Sequence, residues 1–277
     1  MPHDPSVPVL VNAAGSRPSP IEDLREIVAH GHLLANLVRR DLTVRYKRSV
    51  LGFLWTMLNP LLLMIIFTVV FSTIFRFAVE HYETYFLSEY LVWNFFAQST
   101  VAAMTSLEWN GALMKRVRVP KAVFAVSTTA SGLANLLLAC LPLLVIMALA
   151  GAPIRPAMLF LPFSFAIIAV FTLGVSLALS AVSVYFDDVA QMVQVAITAL
   201  MYLTPIMYPM SIVPERYQWL IRANPLTHLF ELTRQPIYHG VLPDLSALVL
   251  ASAIALAALL VGWLTFRRLS PGFYLHL

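Results

Sequence analysis

Residues 122–154 have the sequence AVFAVSTTASGLANLLLACLPLLVIMALAGAPI, which no charged side chain interrupts between Lys121 and Arg155. A helix needs about 20 mainly apolar residues to cross roughly 30 Å of hydrocarbon, and a charge inside that length is costly. This stretch is therefore long and apolar enough to span a membrane as a helix.

The rest of the chain holds five more such intervals, each with 18 or more consecutive residues free of Asp, Glu, Lys and Arg. They predict an all-α membrane protein with six transmembrane helices. Glu89 and Glu108 bound the shortest interval, so both are expected near the membrane interfaces. The predicted spans cover approximately residues 52–77, 87–108, 122–150, 157–185, 189–209 and 245–266.

The composition agrees with a chain whose solvent is mostly lipid. Hydrophobic residues make up 60% of the sequence and charged residues 12%, whereas a soluble domain carries about 25% charged residues. The single cysteine, Cys140, excludes an internal disulfide and a cysteine-based zinc site. Residues 1–18 are rich in Pro, Ser, Ala and Gly without an apolar core, which is typical of a disordered tail.

The distribution of Lys and Arg predicts the orientation. If the N-terminus is cytoplasmic, 13 of the 18 cations lie on the cytoplasmic side and five lie outside. Cytoplasmic loops carry the excess of Lys and Arg, so both termini are expected inside, including the C-terminal residues 269–277. Residues 109–121 then form a cytoplasmic loop, and residues 210–243 form an extracellular segment.

A helical amphipathic segment is predicted before the first span, over residues 19–48. Ser19 as N-cap, Pro20 and Glu22 form a helix start, and apolar residues recur after it at helical spacing. Such a helix lies flat at the cytoplasmic interface, close to anionic headgroups. It is either a topology anchor or a contact for a partner or substrate. Its basic residues near the first span are Arg39, Arg40, Arg45, Lys47 and Arg48.

The junction of this helix with the first span carries a recognisable motif. Residues 37–60, LVRRDLTVRYKRSVLGFLWTMLNP, resemble the opening of bacterial ABC-2 type permeases that export O-antigen, teichoic acid or capsule polysaccharides. Two further matches follow in the same order. One is the basic loop Asn110–Lys121, and the other is Asn-Pro-Leu-Thr at residues 224–227, with Glu231 and Arg234 after it.

This resemblance implies a type V exporter fold and a set of partners. The chain would form a homodimer, pair with two copies of an ABC ATPase subunit that binds ATP and magnesium, and move a lipid-linked, undecaprenyl-type polysaccharide across the inner membrane. It also implies that the loop after the second span docks into a groove of the ATPase. The alternative is that its cations only enforce topology. The loop residues assigned to coupling are Trp109, Asn110, Leu113, Met114, Lys115, Arg116 and Arg118.

The long outer segment predicts a short re-entrant helical hairpin between the fifth and sixth spans. Asn224 as N-cap and Pro225 as the first helical residue start its second helix. Each half is about ten residues, which is too short to span. Glu231 and Arg234 are neighbours at i,i+3 spacing, so they are expected to pair. A structural role is favoured for them over substrate contact.

Aromatic residues suggest a substrate path. Phe67, Phe71 and Phe75 recur on one face of the first span, and Tyr202 lies in the fifth. Such side chains usually face lipid or pack between helices. Sugars can also stack their C–H faces on aromatic rings, so these four residues are the candidates for the path.

Several functions lack their sequence signatures. No lysine follows glycine, so a P-loop is absent, and no ionisable residue is expected near the middle of a span. No metal spacing, nucleophile–base pair or nucleic-acid signature is visible, which favours a transport subunit without cofactor over an enzyme. Two alternatives remain: an ABC-2 permease for a drug or small lipid, and a membrane enzyme acting on lipid-linked sugars.

Overall fold

The computed structural model describes residues 25–26, 29–46, 54–70, 79–111, 114 and 119–273. The predicted tail 1–18 and residues 274–277 lie outside this part. Within it the chain is helical and contains no strand, which confirms the predicted all-α class. The helices of eight or more residues are α1 (Gly31–Tyr46), α2 (Leu54–Thr68), α3 (Tyr82–Trp109), α4 (Ala122–Leu149), α5 (Leu161–Ser183), α6 (Val189–Leu203), α7 (Glu215–Arg222), α8 (Pro225–Arg234) and α9 (Leu245–Leu269).

Three helical segments of the described chain are long and apolar enough to cross a membrane. They are α4, α5 with the 3-10 turn before it (Pro156–Ser183), and α9 with the turn after it (Leu245–Gly272). They coincide with the predicted third, fourth and sixth spans. The helix α6 is apolar but shorter, and it ends at Leu203, before the predicted boundary at residue 209.

The helix α3 has the same length as α4, 28 residues, but a more polar sequence. Its buried residues include Glu89, and it also carries Asn94 and Gln98. These polar side chains lower its mean hydropathy, which explains why it is not among the three apolar segments.

The pair α5–α9 packs with its backbones in close approach. A Cβ atom added to Gly262 would lie 1.9 Å from the carbonyl oxygen of Gly174, and one added to Gly174 would lie 2.4 Å from the carbonyl carbon of Ala258. Small residues at helix contacts allow this approach, which is a main source of association between helices in lipid.

Two apolar clusters hold the bundle together. The larger one is rich in aromatic rings of α3, which contact Phe171 of α5 and Phe230 of α8. The smaller one joins Leu37 of α1 to the end of α3, the start of α4 and Phe266 and Phe273 near the C-terminus. The second cluster therefore fixes the interface helix α1 against the transmembrane bundle.

The bundle has two ends that differ in sequence. The basic face is defined here by α1, residues 109–121 and residues 266–273. The hairpin face is defined by residues 204–244 and residues 80–89 at the start of α3. In the hairpin face, α7 and α8 follow each other directly, and a π-helical turn Gln235–His239 ends at Gly240, whose φ of 69° is in the left-handed region.

Candidate functional site

The basic face brings two predicted groups of residues into contact. Arg40 of α1 donates a hydrogen bond from Nη1 to Oδ1 of Asn110, at 3.3 Å, and its Nε and Nη2 donate to Asp41. Asn110 in turn donates to the carbonyl oxygen of Ser106 at 2.7 Å. The interface helix and the loop after α3 are thus joined through side chains.

Apolar packing supports the same junction. Leu37 of α1 and Met114 of the loop are both buried in the smaller cluster. Trp109, at the end of α3, is 83% exposed. Met114 therefore packs on the bundle, whereas the side chain of Trp109 at the end of α3 is uncovered.

The remaining predicted residues of this face divide into two groups. Arg39 is exposed on α1, and Arg45 belongs to the last turn of α1. The other predicted residues lie outside the part of the chain that the structure describes; they are Lys47, Arg48, Leu113, Lys115, Arg116 and Arg118.

The loop also contacts the end of α9, a connection that sequence reasoning missed. Lys121 donates from Nζ to the carbonyl oxygen of Ser270 at 2.5 Å, and its ammonium group lies 5.1 Å from the centre of the Phe273 ring. Burial lowers the pKa of Lys121 from its ordinary value of 10.5 to about 8. No short-range sequence pattern indicates this contact, because the partners are more than a hundred residues apart.

On the hairpin face, the predicted start of α8 is confirmed. Asn224 is the N-cap and accepts a hydrogen bond from the backbone N–H of Leu226 at 3.0 Å, with Pro225 in the first turn. The same side chain donates to Oγ1 of Thr204 at 2.8 Å. Asn224 therefore both starts α8 and attaches it to the end of α6.

Arg234 makes the most extensive polar contacts of the hairpin face. Its predicted partner Glu231 is present at 4.0 Å, but the closer ion pair is with Glu89 of α3. Arg234 also donates to the carbonyl oxygen of Pro205, and its guanidinium lies 4.2 Å from the centre of the Tyr85 ring. Arg234 thus joins α8 to α3 and to the segment after α6.

Glu89 was expected near a membrane interface, and that stays a prediction. The structure adds that α3 begins at Tyr82 and that Glu89 lies in its third turn with 1% of its surface exposed. The charge-free intervals underestimated the length of α3, because a carboxylate with a buried arginine partner can lie inside a helix bundle.

The candidate aromatic path is only partly described. Phe71 and Phe75 lie outside the described residues. Phe67 packs on Phe86 with ring centroids 4.8 Å apart, as part of the aromatic cluster. Tyr202 is exposed on α6, and its carbonyl oxygen accepts a hydrogen bond from Tyr208 at 2.7 Å. Of the two described candidates, Tyr202 is therefore the one with an exposed side chain, whereas Phe67 packs against the cluster.

The described residues contain no group of three or more His, Cys, Asp or Glu side chains placed to hold a metal ion. The buried charges of the hairpin face are instead paired with each other. The polar contacts described on both faces therefore connect one helix to another.

Comparison with known proteins places this fold in a family. Residues 32–238 match the model of the ABC-2 type transporter family. The chain is 31% identical over 214 residues to the O-antigen export system permease protein RfbA of Klebsiella pneumoniae, across 76% of this chain and 82% of that relative. A protein of the same name from Myxococcus xanthus is 30% identical over 240 residues, across 85% and 92% of the two chains.

The similarity to a more distant relative extends over a comparable share of both chains. The polysialic acid transport protein KpsM of Escherichia coli is 20% identical over 234 residues, across 83% of this chain and 91% of that relative. The family match over residues 32–238 runs from α1 into the π-helical turn that follows α8. The chain belongs to the ABC-2 type transporter family, and it is a transport component and not an enzyme.

Proposed function

We propose that this chain is the permease subunit of an ATP-driven exporter that moves a lipid-linked, undecaprenyl-type polysaccharide such as O-antigen across the bacterial inner membrane. The observation that carries the proposal is the 31% identity to an O-antigen export permease over 76% of the chain. A capsule-type relative, the polysialic acid transporter, also has a polysaccharide cargo. The drug or small-lipid alternative has no comparable support.

The proposed topology has six spans, with both termini in the cytoplasm. Residues 1–18 are the tail, 19–48 the interface helix, 49–268 the transmembrane domain and 269–277 the C-terminus. The 28 residues of α3 extend about 42 Å at 1.5 Å per residue, enough to cross the bilayer despite its polar residues. The hairpin 210–243 is then a re-entrant element of the outer leaflet, because α7 and α8 have eight and ten residues.

The motor is supplied by a partner. The sequence has no P-loop, so two copies of an ATPase subunit bind ATP and magnesium and drive the movement. Trp109 and the loop up to Lys121 dock into that subunit. The hydrogen bond from Arg40 to Asn110 then carries the movement of the loop into the interface helix.

A homodimer is supported by the exposure of α6. None of the 15 residues of this apolar helix is buried within the chain. A second copy would cover one side of α6, and a path for the polysaccharide would lie between the first and fifth spans of the two protomers. Tyr202 would contribute an aromatic surface to this path, and the hairpin residues would close its outer end.

Deletion of the gene tests the function directly. We expect lipid-linked glycan to accumulate on the cytoplasmic side and surface polysaccharide to disappear, with recovery on complementation. Normal surface polysaccharide in the deletion strain would contradict the proposal. A neighbouring ATPase gene among glycosyltransferase genes would agree with it, whereas one beside a drug-resistance regulator would favour the alternative cargo.

The docking role of the loop has a separate test. Replacing Lys115, Arg116 and Arg118 with Gln should uncouple ATP hydrolysis from export in the reconstituted complex. The matched control is Arg268→Gln, which also removes a cation from the basic face but lies at the end of α9. Because these cations also influence topology, the orientation of the protomer is measured in the same membranes. Coupled export in the triple variant, with correct orientation, would exclude docking through these cations.

A further inference from the structure

A cavity of about 570 Å³ lies between α3 and α4, and residues of α1 and α2 line its side. Small-molecule sites have volumes of roughly 300–1,000 Å³, so this one is large enough for a ligand. It extends along α3 from Leu91 to Asn110, a distance of about 28 Å at 1.5 Å per residue. It therefore runs through most of the membrane thickness, starting from the basic face. We call it the α3–α4 cleft.

The walls of the cleft carry polar groups among apolar side chains. They include the amides of Asn94, Gln98 and Asn135. The Nε2 of Gln98 donates a hydrogen bond to Oδ1 of Asn94 at 2.7 Å. The carbonyl oxygen of Gln98 and the amide N–H groups of Asn94 make no hydrogen bond to the described residues. The charged residues of the lining, Arg40 and Asp41, are paired with each other at the mouth.

An unpartnered hydroxyl lies in the same wall. Ser99 is 2% exposed, and its Oγ has no hydrogen-bond partner in the part of the chain that the structure describes. It faces Gly132 of α4, where an added Cβ would lie 2.0 Å from this oxygen. An amide or hydroxyl placed in an apolar medium without a partner costs roughly 2–7 kcal/mol. This hydroxyl is covered by the contact with Gly132, so the unsatisfied polar groups that a ligand in the cleft can reach belong to the amides of Asn94 and Gln98.

The chemistry of this wall selects its ligand. Amides and hydroxyls both donate and accept, as the hydroxyls of a sugar do, and a neutral wall attracts no ion. Trp55, which is 49% exposed, also lines the cleft and offers a ring face on which the C–H groups of a sugar can stack. A helix of a second copy could cover the cleft only by presenting matching polar groups.

We propose that the α3–α4 cleft is a binding site for the sugar units of the lipid-linked substrate, at the start of the transport path. This inference rests on the proposed function, and it assigns the first sugar contacts to the second and third spans. The site is distinct from the aromatic candidates Phe67 and Tyr202, which are not among the residues that line the cleft.

Protection of an introduced cysteine tests the site. In a Cys140→Ala background, Ala102→Cys places a thiol in the cleft, and Thr265→Cys places a matched, equally half-buried thiol on α9, also near the basic face. The full complex, with an ATPase subunit that cannot hydrolyse ATP, is labelled in nanodiscs with a thiol reagent. The probe is an undecaprenyl-diphosphate-linked saccharide, and the comparison ligand is undecaprenyl diphosphate alone.

We expect the saccharide-bearing lipid to slow labelling of Ala102→Cys about tenfold at a concentration about ten times its dissociation constant, because about one site in ten then stays empty. Labelling of Thr265→Cys should not change. Equal protection by undecaprenyl diphosphate alone would overturn the inference in favour of a lipid site. Absence of protection would overturn it too, as would an introduced thiol at position 102 that never reacts, because protein would then close the cleft.

Export measurements separate this site from the proposed function as a whole. Gln98→Leu removes the amide and retains a side chain of comparable size at an exposed position, so folding should be preserved. We expect slower export, whereas Thr265→Val on α9 should export normally. If deletion abolishes export but Gln98→Leu and Asn135→Leu both export at the normal rate, the cleft site is wrong and the exporter function stands. If deletion leaves export intact, the proposed function itself fails.

Discussion

The hairpin face and the basic face satisfy their polar groups in opposite ways. On the hairpin face, Arg234 is 5% exposed and pairs with the buried Glu89. Asn224 accepts a hydrogen bond from Leu226 and donates one to Thr204 at the end of α6. On the basic face, Arg40 is half exposed and Trp109 extends into solvent. The hairpin face thus buries an ion pair between two helices, whereas the charged contact described on the basic face lies at the surface.

This difference has a physical reason. A buried charge pair is maintained only when its desolvation is offset by close geometry and further contacts. Arg234 donates a hydrogen bond to the carbonyl oxygen of Pro205 and makes a cation–π contact with the Tyr85 ring. Exposed charges and aromatic residues do not need such partners within the fold, and they are available to another protein. The basic face is therefore where we expect the ATPase subunit to bind.

The largest expected effect comes from breaking the ion pair of the hairpin face. Arg234→Met leaves Glu89 buried without its cation, which costs about 3–5 kcal/mol in comparable pairs. We expect the free energy of unfolding of the purified complex to fall by this order, measured by denaturant or thermal unfolding in detergent. The matched control is Arg222→Met, which removes an exposed arginine from the neighbouring helix α7.

A double variant sharpens this result. Glu89→Leu combined with Arg234→Met removes both charges, so much of the stability lost in Arg234→Met should return. If the double variant is as unstable as the sum of the two single variants, the charges are not coupled and the role given to this pair is wrong.

The next effect concerns the N-cap that attaches the hairpin. Asn224→Ala removes the bond to the N–H of Leu226 and the bond to Thr204, and loss of an N-cap costs about 1 kcal/mol. We expect a lower midpoint of thermal unfolding. Asn224→Asp keeps the capping acceptor but loses the donor to Thr204, so its midpoint should lie between those of the wild type and Asn224→Ala. A midpoint unchanged in both variants would contradict the attachment.

A smaller effect on stability is expected on the basic face. Trp109→Ala should change the free energy of unfolding by no more than about 0.5 kcal/mol, because the side chain is 83% exposed. It should nevertheless reduce the amount of ATPase subunit that copurifies with the chain. The matched control is Trp219→Ala on α7, since Trp219 is 66% exposed on the hairpin face. Equal copurification of the ATPase with both variants would remove the contrast between the two faces.

The smallest expected effect is a dependence on pH. The pKa of Lys121 is about 8 in the folded chain and 10.5 ordinarily, so the unfolded state binds more protons between these values. The contribution of this group to stability therefore rises as the pH increases from about 8 to 10.5, and it stays at its minimum below about 8. Thermal unfolding midpoints across this range should rise less in Lys121→Met than in the wild type. Arg268→Met, which removes a different cation from the same face, should keep the wild-type slope.

Local sequence was sufficient for part of this structure. The apolar lengths of α4, α5 and α9 follow from the absence of charges, and the start of α8 follows from Asn224 and Pro225. These features depend on residues a few positions apart, where helix geometry relates sequence directly to structure. The family was also indicated by a local motif, residues 37–60, and the comparisons confirm it.

Other features could not be obtained in this way. Counting charges indicated that Glu89 bounds an apolar interval, but it could not indicate that Arg234 comes beside it. The pairing of Glu231 with Arg234 was predicted from spacing, but spacing could not rank Glu89 as the closer partner. The polar side chains of α3 were visible in the sequence, yet only packing against α4 arranges them around one cavity.

The sequence by itself determined the helical class, the apolar spans and the family, because each is recorded in local composition or in a contiguous motif. The tertiary structure decided which polar groups are buried, paired or left open, since these depend on contacts between helices far apart in the chain. That division separates the buried ion pair of the hairpin face, Glu89 and Arg234, from the exposed side chains of the basic face, Trp109 and Arg40.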